Sequence, residues 1–102
     1  MGIKLIPAKE RARDWKLGQC VGQVTEEYAE FIMVNRDRVR ALAIHNGNDD
    51  IANLAKRELV EETIDLMTAC RTLLWKLGLD DDDVASAVEK VNAKNRARGY
   101  LA

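Results

Sequence analysis

The sequence contains a single proline, Pro7, and this scarcity constrains the fold more than any other feature. Proline interrupts helices, so a chain that lacks it after position 7 is free to form long ones. Between about residues 8 and 44, apolar side chains recur at helical spacing, as at Leu17, Val21 and Val24. No segment shows the strict polar–apolar alternation of a half-buried strand. The sequence therefore predicts an all-α protein.

Turn signals divide this helical pattern. The segment HNGNDD at 45–50 predicts a turn, because Asn and Gly accept left-handed backbone conformations. A second helix is predicted over about 51–77, with Gly78 as its C-terminal stop. Asp80 or Asp81 then caps a third helix.

The first helical region leaves two alternatives open, one long helix or two shorter ones. Gly18 and Gly22 lie one turn apart there and indicate either a kink or the close approach of another helix. The predicted architecture is therefore three to four amphipathic helices in one domain spanning residues 1–102.

Composition excludes several classes of protein. No apolar run reaches the ~18 residues of a membrane span, and the charged N-terminus does not resemble a signal peptide. The net charge of −1 argues against a nucleic-acid partner. We therefore expect a cytoplasmic protein without a membrane partner, in which Cys20 and Cys70 are reduced, buried and apolar in character.

Apolar residues also fall outside the main helical stripes. Val34, Ile44, Val60 and Ile64 indicate a second packed face. A chain this short covers such surface poorly by itself. The sequence predicts a helical bundle completed by homo-oligomerisation, with dimer and tetramer both left open.

Two acidic segments carry the clearest chemical signal. Glu27 and Glu30 are helical neighbours in the first, and Glu62 and Asp65 in the second, while Glu26 stands one turn before Glu30. If the two helices form a hairpin, Glu30 and Asp65 both lie about 17 to 18 residues from the turn and therefore at the same height. The spacing predicts that the acids share one site.

Facing carboxylates repel each other unless they are protonated, exposed or bridged by a cation. All-oxygen ligands suit Mg²⁺, with Mn²⁺ as a possible substitute, and Mg²⁺ sites of this kind handle phosphates. The alternative is an ordinary solvated acidic surface, because Glu is a good helix former. Near the C-terminus, Lys94, Asn95 and Arg98 could hold phosphates, or else form a solvated last turn of helix.

Taken in order, E-E-x-x-E at 26–30, E-x-x-D at 62–65 and the basic K-N-R-A-R-G-Y segment at 94–100 resemble the MazG-like all-α nucleoside triphosphate pyrophosphohydrolases. The wider group includes dimeric dUTPases and phosphoribosyl-ATP pyrophosphatases. The resemblance spans roughly residues 15–100. The gap between the two acidic motifs is somewhat longer than is commonest in that family, and the tail matches only part of the dUTPase pattern.

The resemblance implies a role for each matching residue. Four acids would bind metal (Glu27, Glu30, Glu62 and Asp65). Glu26 would activate water or help to hold a further metal, and three residues would contact the triphosphate (Lys94, Asn95 and Arg98). The implied reaction is Mg²⁺-dependent hydrolysis of a (deoxy)nucleoside triphosphate to the monophosphate and pyrophosphate. A non-catalytic helical scaffold or regulatory oligomer is the alternative function. Trp15, Tyr28 and Trp75 are candidates for base stacking or for the core.

Overall fold

The computed structural model describes residues 4–101, and every regular element within them is an α-helix. The four helices are α1 (Lys9–Ala12), α2 (Leu17–Ile44), α3 (Asp49–Lys76) and α4 (Asp81–Ala97). The prediction of an all-α protein with three to four helices is confirmed. In the first region, α2 runs unbroken through Gly18 and Gly22, and the break from the short α1 lies before them, at 13–16.

The turn between α2 and α3 forms where the sequence predicts it. Gly47 adopts the left-handed conformation, with φ of 85°. Asn48 then caps α3 by accepting a 3.2 Å hydrogen bond from the backbone N–H of Ile51 through its side-chain oxygen. Because the turn is short, α2 and α3 fold back on each other, and this hairpin contains most of the contacts between helices.

The junction of α3 and α4 is also defined by local sequence. Gly78 is left-handed, with φ of 89°, and its N–H and that of Leu79 bond to the last carbonyl groups of α3. Asp80 caps α4 by accepting a 2.8 Å bond from the backbone N–H of Asp83, whose carboxylate accepts from the N–H of Asp80 at 3.1 Å. The predicted stop at Gly78 and cap at Asp80 are confirmed.

The segment before α2 is held against the C-terminal half of α3. The N–H of Ala8 donates to Thr72 Oγ1 at 2.9 Å. The ammonium group of Lys76 donates to the carbonyl oxygens of Ala12 and Arg13, at 2.9 and 3.1 Å. These bonds place α1 over α3 and satisfy carbonyl groups at the end of a helix too short to be stable alone.

The core of the single chain is thin. Its buried apolar residues are small, namely Ala12, Cys20, Ala55 and Ala69. The prediction that both cysteines are buried is wrong for Cys70, which is exposed. Cys70 follows the buried Ala69 by one position, so it is rotated about 100° away from the side that faces Cys20 and α2.

Helix α4 extends away from this hairpin. Within the described range it has hardly any contact with the other helices, and none of its residues is buried. The radius of gyration is 16.8 Å, against about 13 Å for a compact chain of this length. No helix in the described part of the chain combines the length and apolar character needed to cross a bilayer.

Candidate functional site

The α2–α3 hairpin brings acids from the two predicted segments together. Glu27 and Glu30 of α2 and Glu62 of α3 each offer a carboxylate oxygen, and these oxygens all lie within 4.8 Å of one another. We refer to these three residues as the acidic cluster. They meet because Glu27 and Glu30 are one helical turn apart and the turn at 45–48 sets the register of α3 against α2.

Electrostatics within the cluster disfavours three negative charges. Loss of hydration is the main cause that raises the pKa of Glu27, followed by repulsion from Glu30, Asp65 and Glu62. A hydrogen bond from Gln23 acts in the opposite direction on that pKa. The pKa of Glu62 is also raised, first by loss of hydration and then by Asp65 and Glu30. The cluster therefore favours a proton or a cation.

Two oxygen atoms of the cluster lack partners. Glu27 Oε1 accepts a 2.9 Å hydrogen bond from Gln23 Nε2. Glu27 Oε2 and Glu62 Oε2 are buried and accept no hydrogen bond from any described residue. Because ionised carboxylates can only accept, two of them facing each other cannot satisfy one another. Such buried, unsatisfied acceptors are rare in proteins and mark a place where a donor or a cation fits.

The fourth predicted metal ligand lies beside the cluster. Asp65 is close enough to raise the pKa of both Glu27 and Glu62, but it is not one of the three residues whose oxygens converge. Glu26, the predicted water-activating residue, is on α2 next to Glu27 and is exposed. The structure therefore brings together three of the five predicted acids, with a fourth adjacent to them.

A cavity of about 230 Å³ adjoins the cluster. Glu27 and Asp65 form part of its wall, and Trp15 lies on it as well. The remaining polar residues of its wall, none of which was predicted from the sequence, are Arg11, Gln23, Thr68 and Thr72. Helical spacing offered a signal for two of these residues, because Gln23 precedes Glu27 by one turn and Thr68 follows Asp65 by three positions.

The cavity wall is organised by contacts among these residues. The guanidinium carbon of Arg11 lies 5.4 Å from the centre of the Trp15 ring, a cation–π distance. Arg11 Nη2 also donates a long hydrogen bond of 3.5 Å to Gln23 Oε1. Because Gln23 in turn donates to Glu27, a chain of contacts links the aromatic ring to the acidic cluster.

The predicted phosphate-contacting residues lie elsewhere in this chain. Lys94 and Asn95 belong to the last turn of α4, and Arg98 is the residue that follows the helix. Lys94 and Arg98 are exposed, and Asn95 is half-buried. Their side chains form no hydrogen bond or ion pair with another described residue, and none of them lines the cavity beside the acidic cluster. The described chain by itself does not bring them to the acidic cluster.

Fold and site together define an all-α protein built on a helical hairpin with a carboxylate cluster between its two long helices. No protein-family model, curated protein or solved structure matches the chain. The resemblance to MazG-like enzymes therefore depends on the three motifs and their order alone.

Proposed function

We propose that the protein is a Mg²⁺-dependent nucleoside triphosphate pyrophosphohydrolase that converts a (deoxy)nucleoside triphosphate to the monophosphate and pyrophosphate. The main support for this proposal is the geometry of the acidic cluster. Carboxylates from two distant segments, Glu27 and Glu30 on one side and Glu62 on the other, converge within 4.8 Å, and two of their buried oxygens have no partner among the described residues. An ordinary acidic surface leaves its carboxylates separated and hydrated.

The donor set fits a hard divalent cation. It consists only of carboxylate oxygens, as Mg²⁺ and Mn²⁺ prefer, and the described cluster contains no His or Cys ligand. Three carboxylates leave positions free for water and phosphate oxygens, as is common for Mg²⁺ that serves a phosphorylated substrate. When bound, Mg²⁺ would neutralise charge on the phosphate oxygens and make the phosphorus more electrophilic.

The residues of the chain have distinct roles in this proposal. Glu27, Glu30 and Glu62 hold the cation, and Asp65 beside them is the fourth acid available to it. Without a cation these acids would repel a triphosphate, so substrate binding requires the metal. Glu26 is exposed on the same helix and accepts a proton from the attacking water. Trp15, on the adjoining cavity, offers a flat surface for the base.

A second copy of the chain would complete the bundle. The accessible surface is 7943 Å², against about 5,800 Å² for a compact monomer of this mass. The excess of about 2,100 Å² per chain, or about 4,200 Å² for two chains, falls in the range of total area that obligate homodimers bury. We therefore propose a homodimer or homotetramer. In such an assembly, α4 of one copy brings Lys94, Asn95 and Arg98 to the triphosphate bound by another.

The decisive experiment measures pyrophosphate and orthophosphate separately after incubation with a panel of NTPs and dNTPs and Mg²⁺. We expect pyrophosphate and a nucleoside monophosphate as products. Glu27→Ala and Asp65→Ala should each lower the rate by more than about a hundredfold while helicity by circular dichroism is unchanged. Glu89→Ala, an equal change of charge on α4, is the matched control and should retain the rate.

Two results would contradict the proposal. The first is orthophosphate as the sole product, since it would indicate a different phosphohydrolase. The second is a Glu27→Ala protein that releases pyrophosphate as fast as the unaltered protein. A chain that hydrolyses none of the nucleotides and whose melting temperature does not respond to Mg²⁺ would instead support the scaffold or regulatory alternative.

A further inference from the structure

A second cavity lies where the N-terminal segment crosses the junction of α3 and α4. It has a volume of about 610 Å³, which is in the usual range for small-molecule sites. Its wall includes Arg71 and Trp75 of α3, Lys4 and Lys9 before and within α1, and Asp81 at the start of α4. We refer to it as the Arg71 cavity.

The guanidinium group of Arg71 is the distinctive feature of this cavity. Its side chain is 7% exposed, which is rare for a charged residue on such a small protein. Nη2 donates to Asp81 Oδ1 at 2.8 Å, whereas Nη1 is buried and has no acceptor among the described residues. A buried cation with an unused donor is costly unless an acceptor is supplied.

The carboxylate of Asp81 is already shared. Its other oxygen lies 2.8 Å from the ammonium group of Lys4, and the carboxylate of Asp80 caps α4. Lys9 forms no ion pair within the described part of the chain. Three cationic side chains thus line the cavity against two acids, of which Asp81 has both oxygens engaged and Asp80 has Oδ1 engaged in the helix cap. The remaining donors suit an oxyanion, for which Arg provides a planar fork of N–H groups.

Apolar groups form the rest of the wall. The Trp75 ring and the side chains of Pro7 and Leu79 line the cavity beside the cationic residues. A ligand that carries only an oxyanion would leave this apolar surface uncovered. A ligand with a flat apolar body attached to the oxyanion would bury it against the indole ring.

We propose that the Arg71 cavity binds a small molecule in which a phosphate or carboxylate group is attached to a flat apolar body. The oxyanion lies at Arg71 and Lys9, and the body packs on Trp75. This site is separate from the acidic cluster. Arg71 follows Glu62 by nine positions, so it lies about 13 Å further along α3 and on the opposite side of the helix.

The test uses the full chain without divalent metal, so that its outcome does not depend on the proposed hydrolase activity. The substitution Trp15→Phe leaves Trp75 as the sole tryptophan. We expect phenyl phosphate and benzoate to change its fluorescence in a saturable manner, inorganic phosphate to bind more weakly, and benzyl alcohol to have no saturable effect. The ratio between the first two ligands distinguishes a phosphate from a carboxylate site.

Variants locate the binding site. Arg71→Gln should weaken phenyl phosphate binding at least about tenfold, and Lys9→Ala about two- to fivefold. Lys90→Ala on α4 is the matched control and should leave the affinity unchanged, as should Glu27→Gln in the acidic cluster. If Arg71→Gln does not fold, Lys9→Ala, a change at an exposed position, tests the proposal by itself. The proposal is overturned if neither aryl anion binds, if benzyl alcohol binds equally well, or if Lys9→Ala retains full affinity.

Discussion

Replacing Glu30 by Gln tests the acidic cluster through stability, because the substitution should have opposite effects with and without metal. The carboxylate oxygens lie within 4.8 Å of one another. At that upper limit, two ionised carboxylates repel by about 0.9 kcal/mol in bulk water and by about 3.5 kcal/mol at an effective dielectric constant of 20. Glu30 is exposed, so the lower part of this range applies. We expect metal-free Glu30→Gln to be more stable than the unaltered protein by about 1 kcal/mol, or about 4–8 °C in melting temperature.

Mg²⁺ should reverse this order. A ligand at a hundred times its Kd stabilises the folded state by about 2.7 kcal/mol, or about 10–20 °C for a domain of this size. The unaltered protein should gain this increment, whereas Glu30→Gln, which lacks one carboxylate of the cluster, should gain much less. Thermal unfolding by circular dichroism in EDTA and in millimolar Mg²⁺ measures both differences, with Glu89→Gln on α4 as the control for net charge.

The pH dependence of stability is an independent test of the direction of the Glu30→Gln effect. Because burial and neighbouring acids raise the pKa values of Glu27 and Glu62, the metal-free protein loses stability as the pH rises through those values. The advantage of Glu30→Gln should therefore be present at about pH 8 and disappear in acid, where the carboxyl groups are protonated in both states. Equal stabilisation of both proteins by Mg²⁺ would contradict a cation site at the cluster. A Glu30→Gln protein that is less stable than the unaltered protein in EDTA at neutral pH would contradict repulsion among its carboxylates.

Three further predictions concern the scaffold. Thr72→Val removes the acceptor of the Ala8 N–H and should destabilise the chain by about 1–2 kcal/mol in urea unfolding. The Ala8 amide should also exchange hydrogen faster than in the unaltered protein. An unchanged exchange rate at Ala8 would contradict the hydrogen bond. Gly78→Ala forces a side chain into the left-handed region and should lower the free energy of unfolding by about 1–2 kcal/mol. Gly22→Ala, whose added methyl group meets nothing within 4 Å in the chain, should instead raise it by about 0.5–1 kcal/mol. A lower stability of Gly22→Ala in the same urea assay would indicate that a second copy packs there. Asp81→Asn should lower the urea midpoint at neutral pH, because ion pairs with Lys4 and Arg71 lower the pKa of Asp81 to about 2. The difference from the unaltered protein should vanish as the pH falls from about 4 toward 2. A constant difference across that pH range would exclude those ion pairs as the cause.

The parts of the fold that the sequence predicts correctly depend on local chemistry. The turn with Gly47, the stop at Gly78 and the cap at Asp80 each follow from the conformation or hydrogen bonding of one or two residues. The helical rise and the position of the turn also predict that the two acidic segments meet. They place Asp65 level with Glu30, whereas the carboxylate that converges with Glu27 and Glu30 belongs to Glu62, one turn away on α3. A short turn between two long helices leaves little freedom in their relative register.

The parts that sequence analysis missed depend on which side of a helix faces another segment. Cys70 and Arg71 occupy successive positions in an apolar pattern, yet the cysteine is exposed and the arginine is buried. Periodicity marks Cys70 as a core position, but the N-terminal segment crosses α3 next to Arg71 and covers it instead. Nothing in the spacing of apolar residues specifies where that segment crosses, because it is fixed by single hydrogen bonds such as that from Ala8 to Thr72.

The thin core and the acidic cluster both require stabilisation from outside the single chain. A hairpin whose buried apolar residues are mainly alanines gains little from burial, so it has little free energy available to hold carboxylates together against repulsion. Both demands are met if a second copy covers the exposed stripe that includes Val21, Tyr28 and Val39 while a cation occupies the cluster. Assembly and metal binding should then reinforce each other, since each stabilises the same arrangement of α2 and α3. Sedimentation analysis across a range of protein concentrations should accordingly show the subunits associating more tightly in Mg²⁺ than in EDTA, and Glu30→Gln should abolish that difference. Association that is equally tight in both buffers would show that assembly and metal binding are independent. Protonation alone would then have to offset the repulsion among the carboxylates of the acidic cluster.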